Sequence, residues 1–280
     1  MVTDQTATDL FRAWADDLAA WRIPERILTA VDESPWVLPD EVFARRADRQ
    51  LAHPGGPSHA RAIAVLPNRG SVIDVGAGGG AASLPLAPAM TRLTAIDANR
   101  SLLADLARRA APLCLELATV HGRWPDVADR VPDADLVVCH HVLYDVADLA
   151  PFLLALTGHA RRRVVVEITA RHPLTALNPF WQEFHGLPRP TGPTADDVLG
   201  LLRSLGLDAK SERWTRPAVA EYKSFSTLVD VTRRRLCLPP NRAADVAAAL
   251  HRHGITERKP PDLGSSGERL VTIWWPGQAR

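Results

Sequence analysis

The sequence predicts an α/β protein: a doubly wound, mostly parallel sheet behind an N-terminal helical cap. Three observations carry that expectation. An apolar run, Ser71-Val72-Ile73-Asp74-Val75, leads straight into Gly76-Ala77-Gly78-Gly79-Gly80. Beyond it, β-branched apolar runs alternate with amphipathic segments almost to the C-terminus. Ahead of it, Leu10-Phe11, Trp14, Leu18 and Trp21 recur at helical spacing and form one apolar stripe.

The glycine stretch is the element around which the rest is arranged. Its first half reads as a buried parallel strand. Its second half holds four glycines in five positions, so the backbone can turn sharply and approach a ligand closely. Ala81-Ala82-Ser83-Leu84 is expected to open a helix whose free N–H groups point back at the loop, making a pocket for a carboxylate or phosphate.

Residues 1–57 are expected to form the cap, with Pro24 just inside a second short helix and Pro54-Gly55-Gly56-Pro57 as a linker. Residues 58–280 form the main domain, entered through a helix over His59–Leu66. Leu93–Asp97 is the second strand, Leu115–Val120 the third, Asp135–His140 the fourth and Arg163–Ile168 the fifth. A helix lies between the last two, over Leu149–Leu156. The long connection from Thr169 to Gly186 is rich in aromatics and histidines, and its position makes it the candidate substrate lid. Thr194-Ala195-Asp196-Asp197 reads as a capped helix start, with Gly206 as its stop. Ala209–Thr215 is the sixth strand. A helical insertion over about 218–254 precedes the seventh, Leu270–Trp275.

Composition excludes several classes. A hydrophobic share of 46%, a charged share of 23% and a net charge of +1 are those of a soluble globular protein. No overall field favours nucleic acid or an anionic membrane. Three of the 33 basic residues are lysine, and Arg161–Arg163 and Arg233–Arg235 form triplets. With 32 acidic residues in balance, both triplets are read as solvated ends of helices or strands. Cys114, Cys139 and Cys237 lie far apart beside apolar residues and are expected to be reduced core thiols; no metal-ligand spacing occurs. The acidic N-terminus is unlike a signal peptide. No stretch has the length of a bilayer span. The expected location is cytoplasmic.

Two nucleoside cofactors fit the glycine loop by spacing. Gly76-x-Gly78-x-x-Ala81 satisfies the dinucleotide fingerprint. Asp74-x-Gly76-x-Gly78-x-Gly80 resembles the opening signature of the class I S-adenosylmethionine-dependent methyltransferases. Asp74 favours the second. A carboxylate beside a pyrophosphate adds like-charge repulsion, whereas a methionine moiety carries an ammonium that an acid can hold. Asp97 follows the first glycine by about the interval at which an acid binds ribose hydroxyls, and it serves either cofactor.

The resemblance covers roughly residues 60–275 and implies a seven-stranded Rossmann-like methyltransferase sheet, six strands parallel and the last antiparallel beside the sixth. It further implies S-adenosyl-L-methionine as cofactor, S-adenosyl-L-homocysteine as product, and binding by Asp74, Gly76, Ala77, Gly78, Gly80, Asp97 and Ala98. Where the family often places an acid to bind the adenine, this chain has Arg123. Trp124 either stacks on the purine or plugs the sheet edge, with Asp126 as a substitute acceptor. His140 and Tyr144, four apart after the fourth strand, are expected to line the reaction site, with His141 turned away. His140 or His141 would act as general base for an O- or N-acceptor. Cys-His-His-Val stands where the protein- and DNA-methylating branches carry Asn/Asp-Pro-Pro-Tyr/Phe, so the expected partner is a small-molecule acceptor. Neither nucleic acid nor membrane is expected, no metal is needed, and a homodimer is left open. The alternatives are a nicotinamide-dependent oxidoreductase and a cofactor-binding protein without catalysis.

Overall fold

The structure is a computed structural model that describes residues 2–217, 219–257, 263 and 269–279, excluding the side chains of residues 2–6. Ala218, the first residue of the expected insertion, lies outside the described residues.

Seven strands form one sheet: β1 (Gly70–Val75), β2 (Met90–Asp97), β3 (Glu116–His121), β4 (Ala134–His140), β5 (Ala160–Thr169), β6 (Lys210–Thr215) and β7 (Arg269–Pro276). Their order is β3-β2-β1-β4-β5-β7-β6. Strands β1 to β5 pair in parallel, and β7 runs antiparallel between β5 and β6. This is the expected sheet, with six strands running one way and the last reversed. β1 is buried along its whole length, as its apolar run requires of a strand covered on both faces. The chain switches direction across the sheet between β1 and β4, and ligands bind in such sheets at the carboxyl ends of the strands beside that switch.

The helices are α1 (Val2–Ala19), α2 (Glu25–Leu28), α3 (Asp40–Ala52), α4 (Pro57–Ile63), α5 (Arg100–Ala110), α6 (Leu149–His159), α7 (Asn178–His185), α8 (Ala195–Ser204), α9 (Phe225–Arg235) and α10 (Ala243–Arg252). Asn99 caps α5 through its side-chain oxygen. Thr194 and Asp197 cap α8 reciprocally, as the sequence signature requires.

The segment after the glycine loop departs from expectation. Ala81–Ser83 are a turn, and Leu84–Ala89 form only a short 3₁₀ segment. Pro85 and Pro88 explain it, since neither offers the N–H that an α-helical ladder needs. Among the described residues, no α-helix follows the loop directly, so the anion pocket expected from that helix's dipole is not built.

The apolar residues divide between the two faces of the sheet and a separate core above its carboxyl edge. That third core takes Ile23 and Ile27 from the first stretch, Phe180 and Trp181 from α7, and Leu228, Val246 and Leu250 from α9 and α10. Three stretches distant in sequence thus share one roof. α1 belongs elsewhere: it packs on α8, and Trp14 lies in the main core with Nε1 donating to the Val146 carbonyl at 2.8 Å.

Two readings of single residues are corrected. Cys114 is exposed at the end of a short turn in left-handed conformation, so it is not a core thiol; Cys139 and Cys237 are buried. The Arg233–Arg235 triplet is not a solvated helix end. Arg233 is 3% exposed and bonds Glu33, Asp230 and the Leu238 carbonyl. Arg235 lines the central cavity. One of the Arg233 partners, Glu33, lies 200 residues away in sequence, beyond the reach of local pattern. Arg161 and Arg162, by contrast, are exposed at the start of β5, as expected.

Candidate active site

The glycine loop closes the carboxyl end of β1. The N–H groups of Gly76 and Ala77 both donate to the Ile96 carbonyl at 2.9 Å, clamping the loop to β2. Gly76 has φ +72°, and a Cβ there would lie 2.3 Å from Cγ2 of Val142. Only glycine fits that position. At Gly78 an added Cβ would meet nothing nearer than Phe43 at 3.6 Å, so bare backbone faces open space.

That space is a cavity of about 1160 Å³ at the switch point of the sheet. Its floor is Gly76, Ala77, Gly78 and Gly79, with Asp97 and Ala98 from the end of β2 and Arg123, Trp124 and Asp126 beyond β3. His140, His141 and Tyr144 come from the end of β4, and Glu167 from β5. Trp21, Trp36, Phe43, Arg46 and Arg49 close it from the N-terminal side, while His172, Arg216 and Arg235 close it from the other. Of the expected lid, Thr169, His172, Pro173 and Leu174 reach the cavity; Phe180 and Trp181 turn into the third core.

The expected cofactor residues separate into two groups. Gly76, Ala77, Gly78, Asp97, Ala98, Arg123, Trp124 and His140 line the cavity, whereas Asp74 and Gly80 lie behind its wall. Asp74 is fully buried, takes the Ser83 hydroxyl at 2.5 Å on one oxygen, and has no partner for the other. Burial raises its pKa to about 7; the Ser83 hydrogen bond opposes this and Asp97 reinforces it. Asp97 accepts from the backbone N–H of Gly78 and of Asn99, both at 2.8 Å, so it organises the loop as well as facing the cavity. A carboxylate has lone pairs for further partners beyond those two. The Trp124 indole sits in the main core and donates to the Phe152 carbonyl at 3.3 Å.

At the end of β4 the two histidines differ from expectation. His141 has φ +60°, which breaks the alternation of the strand, so it does not turn away but lines the cavity with His140. Its Nε2 lies 3.2 Å from Glu167 Oε1. His140 Nε2 is buried without a partner. Burial pushes the His140 pKa down to about 4 against the pull of Glu167, so its imidazole is neutral near pH 7. Tyr144 donates its hydroxyl to the Thr169 carbonyl at 2.8 Å, stacks on Trp14, and has its pKa raised by burial. That phenol is a fixed wall group and not a free acid.

Glu167 and Arg216 were missed in the sequence. Glu167 is 7% exposed and takes Arg216 Nη2 at 2.8 Å. Burial alone would raise its pKa, but the His141 hydrogen bond and the fields of His140, His141 and Arg216 hold it well below the usual carboxylate range. The available signal was the run Val164-Val165-Val166-Glu167-Ile168, where one acid interrupts a buried central strand. Among the described residues, no group of three or more His, Cys, Asp or Glu could hold a metal ion. Among those residues too, no helix is long and apolar enough to cross a membrane.

The expected cofactor fits this arrangement. Open backbone at Gly78, a carboxylate at the end of β2 and a cavity above the roughly 300–1000 Å³ of a common single-ligand site leave room for cofactor and acceptor together.

Residues 73–163 match the family model described as "Methyltransferase domain". An uncharacterized protein of Haemophilus influenzae is 34% identical over 104 residues, which is 36% of this chain. The chain spans 38% of the length of that curated relative. Among solved structures, a cyclopropane-fatty-acyl-phospholipid synthase-like protein from Lactobacillus casei superposes with a TM-score of 0.54 at 15% identity, covering 90% of this chain and 98% of that one. The YcgJ protein of Bacillus subtilis gives 0.52 at 13% identity, covering 80% and 98%. At such identities the likeness is one of fold. The matched segment, residues 73–163, holds the glycine loop, Asp97 and the β4 histidines, and over that segment the chain is similar to the class I, S-adenosylmethionine-dependent methyltransferases.

Proposed function

We propose that the protein transfers the methyl group of S-adenosyl-L-methionine to an oxygen or nitrogen atom of a small-molecule acceptor. The observation that carries this reading is His140: a neutral imidazole with a buried, unpartnered Nε2, lining the cavity at the end of β4.

When bound, the cofactor supplies a sulfonium methyl that is already activated for displacement. The chain's own task is to hold the acceptor in line, exclude water and take a proton where the acceptor carries one. Positioning of this kind contributes roughly 7–11 kcal/mol at most. His140 would accept, through its free nitrogen, the proton that an acceptor hydroxyl loses. Its pKa near 4 makes it a weak base, suited to a proton lost as the new bond forms. Glu167 holds the neighbouring His141, and Trp14 and the Thr169 carbonyl hold Tyr144, so the wall behind the acceptor is rigid. Asp97 would take the ribose hydroxyls, and the Gly76–Gly79 backbone would carry the methionine moiety.

Calorimetric titration with S-adenosylhomocysteine, NADH and NADPH tests the cofactor. Micromolar binding of the thioether alone is expected; binding of a nicotinamide nucleotide without it would overturn the reading. Asp97→Asn is expected to weaken thioether binding about 10–100-fold, since it replaces two charge-assisted hydrogen bonds and turns one acceptor of a loop N–H into a donor. Unchanged affinity in that variant would remove Asp97 from the site. His140→Ala is expected to slow transfer to a hydroxyl acceptor by roughly 100- to 10,000-fold, with a smaller effect on thioether affinity.

A further inference from the structure

Six arginines line the cavity, among them Arg46 and Arg49 from α3, Arg216 just beyond β6, and Arg235 at the end of α9. Two buried carboxylates answer the first three of these. Glu221, 1% exposed, takes Arg46 Nε at 2.9 Å and faces Arg49 Nη1 at 3.8 Å. Glu167 takes Arg216 at 2.8 Å.

Arg235 is left over. Its Nε and Nη1 are buried and meet no acceptor in the protein. Burial lowers its pKa, Arg46 adds like-charge repulsion, and neither the Tyr222 nor the Asp145 side chain that counters them is hydrogen-bonded to those two nitrogens. Arg46 Nη2 and Arg216 Nε are also buried donors without acceptors. The unsatisfied groups on this wall are thus mainly N–H donors on cations. The exceptions are Glu221 Oε1, which faces Arg49, and His140 Nε2 at the end of β4. Buried guanidinium forks of this kind are matched by the oxygens of a carboxylate or phosphate, and by little else.

We infer that the methyl acceptor bears a carboxylate or phosphate group, which Arg235 and Arg46 hold inside the cavity. The inference rests on the methyl-transfer reading and narrows its substrate class. A neutral acceptor would leave four buried donors unmatched, whereas an oxyanion satisfies them and offsets the excess positive charge. The cofactor's own methionine carboxylate is the other source of such oxygens, so the test must separate the two.

The protein saturated with S-adenosylhomocysteine is titrated calorimetrically with benzoate, phenyl phosphate and benzamide. At least one of the two anions is expected to bind ten times more tightly than benzamide. In Arg235→Met the affinity for that anion is expected to fall at least tenfold, with thioether affinity held within threefold. Arg235→Met strands no paired carboxylate, so its melting temperature should equal or exceed that of the parent. Should it fail to fold, the three-probe comparison on the unaltered protein still decides. Equal binding of benzamide, silence from both anions, or an Arg235→Met protein that keeps its anion affinity would each overturn the inference. A tenfold loss of thioether binding in Arg235→Met would also do so, because it assigns the arginine to the methionine carboxylate. If the unaltered protein does not bind the thioether at all, the methyl-transfer reading fails. The same three probes on the thioether-free protein then decide the anion site separately.

Discussion

Glu167→Ala is expected to destabilise the protein by about 3–5 kcal/mol at pH 7, the usual cost of removing one partner of a buried ion pair. Glu167 and Arg216 have side chains 9% and 13% exposed, so the guanidinium left behind would be a desolvated cation without its counter-charge. His141 would lose its carboxylate at the same time. Glu167→Gln keeps the shape and one acceptor oxygen, so it should cost less than the alanine variant. The pH dependence follows from the direction of the shift. Glu167 is held below an ordinary glutamate near 4.5, so its contribution is full above that pH and is lost as pH falls through its lower folded value. The gap between parent and variant should therefore be widest at neutral pH and narrow in acid. Urea unfolding of the three proteins at pH 7 and pH 4 measures it. A Glu167→Ala protein within 1 kcal/mol of the parent would show that the pair does not hold this wall.

The sheet was legible because a parallel strand covered on both faces is mainly apolar, and each of the runs at 71–75, 93–97, 135–140 and 163–168 has an apolar majority. The glycine loop was legible because Gly76 can be nothing else beside Val142. The missing helix after it was also written in the chain, as Pro85 and Pro88, but the fingerprint's usual sequel overrode them. What local pattern could not carry was pairing at long range. Arg233 reads as surface until Glu33 is placed beside it, and Arg235 reads as surface until α9 is laid over the cavity. His141 shows the same limit on a smaller scale: one left-handed residue reverses a side chain that strand alternation sends the other way.

The roof has a consequence for how the site opens. The third core joins residues near 23–42, 177–181 and 222–263, so the stretches that close the cavity are packed to one another and not only to the sheet. Arg189 adds to this by lying over the rings of both Trp21 and Trp181, and Trp21 stacks on His172 at 4.2 Å.

Asp74→Asn is expected to change stability and cofactor affinity in opposite directions. Asp74 is a fully buried carboxyl with one hydrogen bond and a pKa raised to about 7. An acid whose folded pKa lies above its unfolded value of 3.8 stabilises the fold in its protonated form. That contribution is full below pH 3.8 and is lost as pH rises to the folded value. At pH 8 the parent carries an ionised carboxylate in the core, at a cost of about 4 kcal/mol from the size of the shift. Asparagine keeps an acceptor for Ser83 and carries no charge, so the variant should be more stable by about that amount at pH 8. The gain should shrink to less than half at pH 5; His140 and His172 titrate alike in both proteins and cancel from the difference. A carboxylate retained at such a cost beneath the glycine loop is expected to act on a cationic ligand, here the ammonium of the methionine moiety, through the low dielectric of the wall. Thioether affinity should therefore fall in the variant, most clearly at pH 8 where the parent's Asp74 is ionised. Denaturant unfolding and calorimetry at the two pH values measure both effects. A variant that binds as well as the parent while gaining stability would make Asp74 a packing group, and a variant less stable at pH 8 would mean that a cation already balances it.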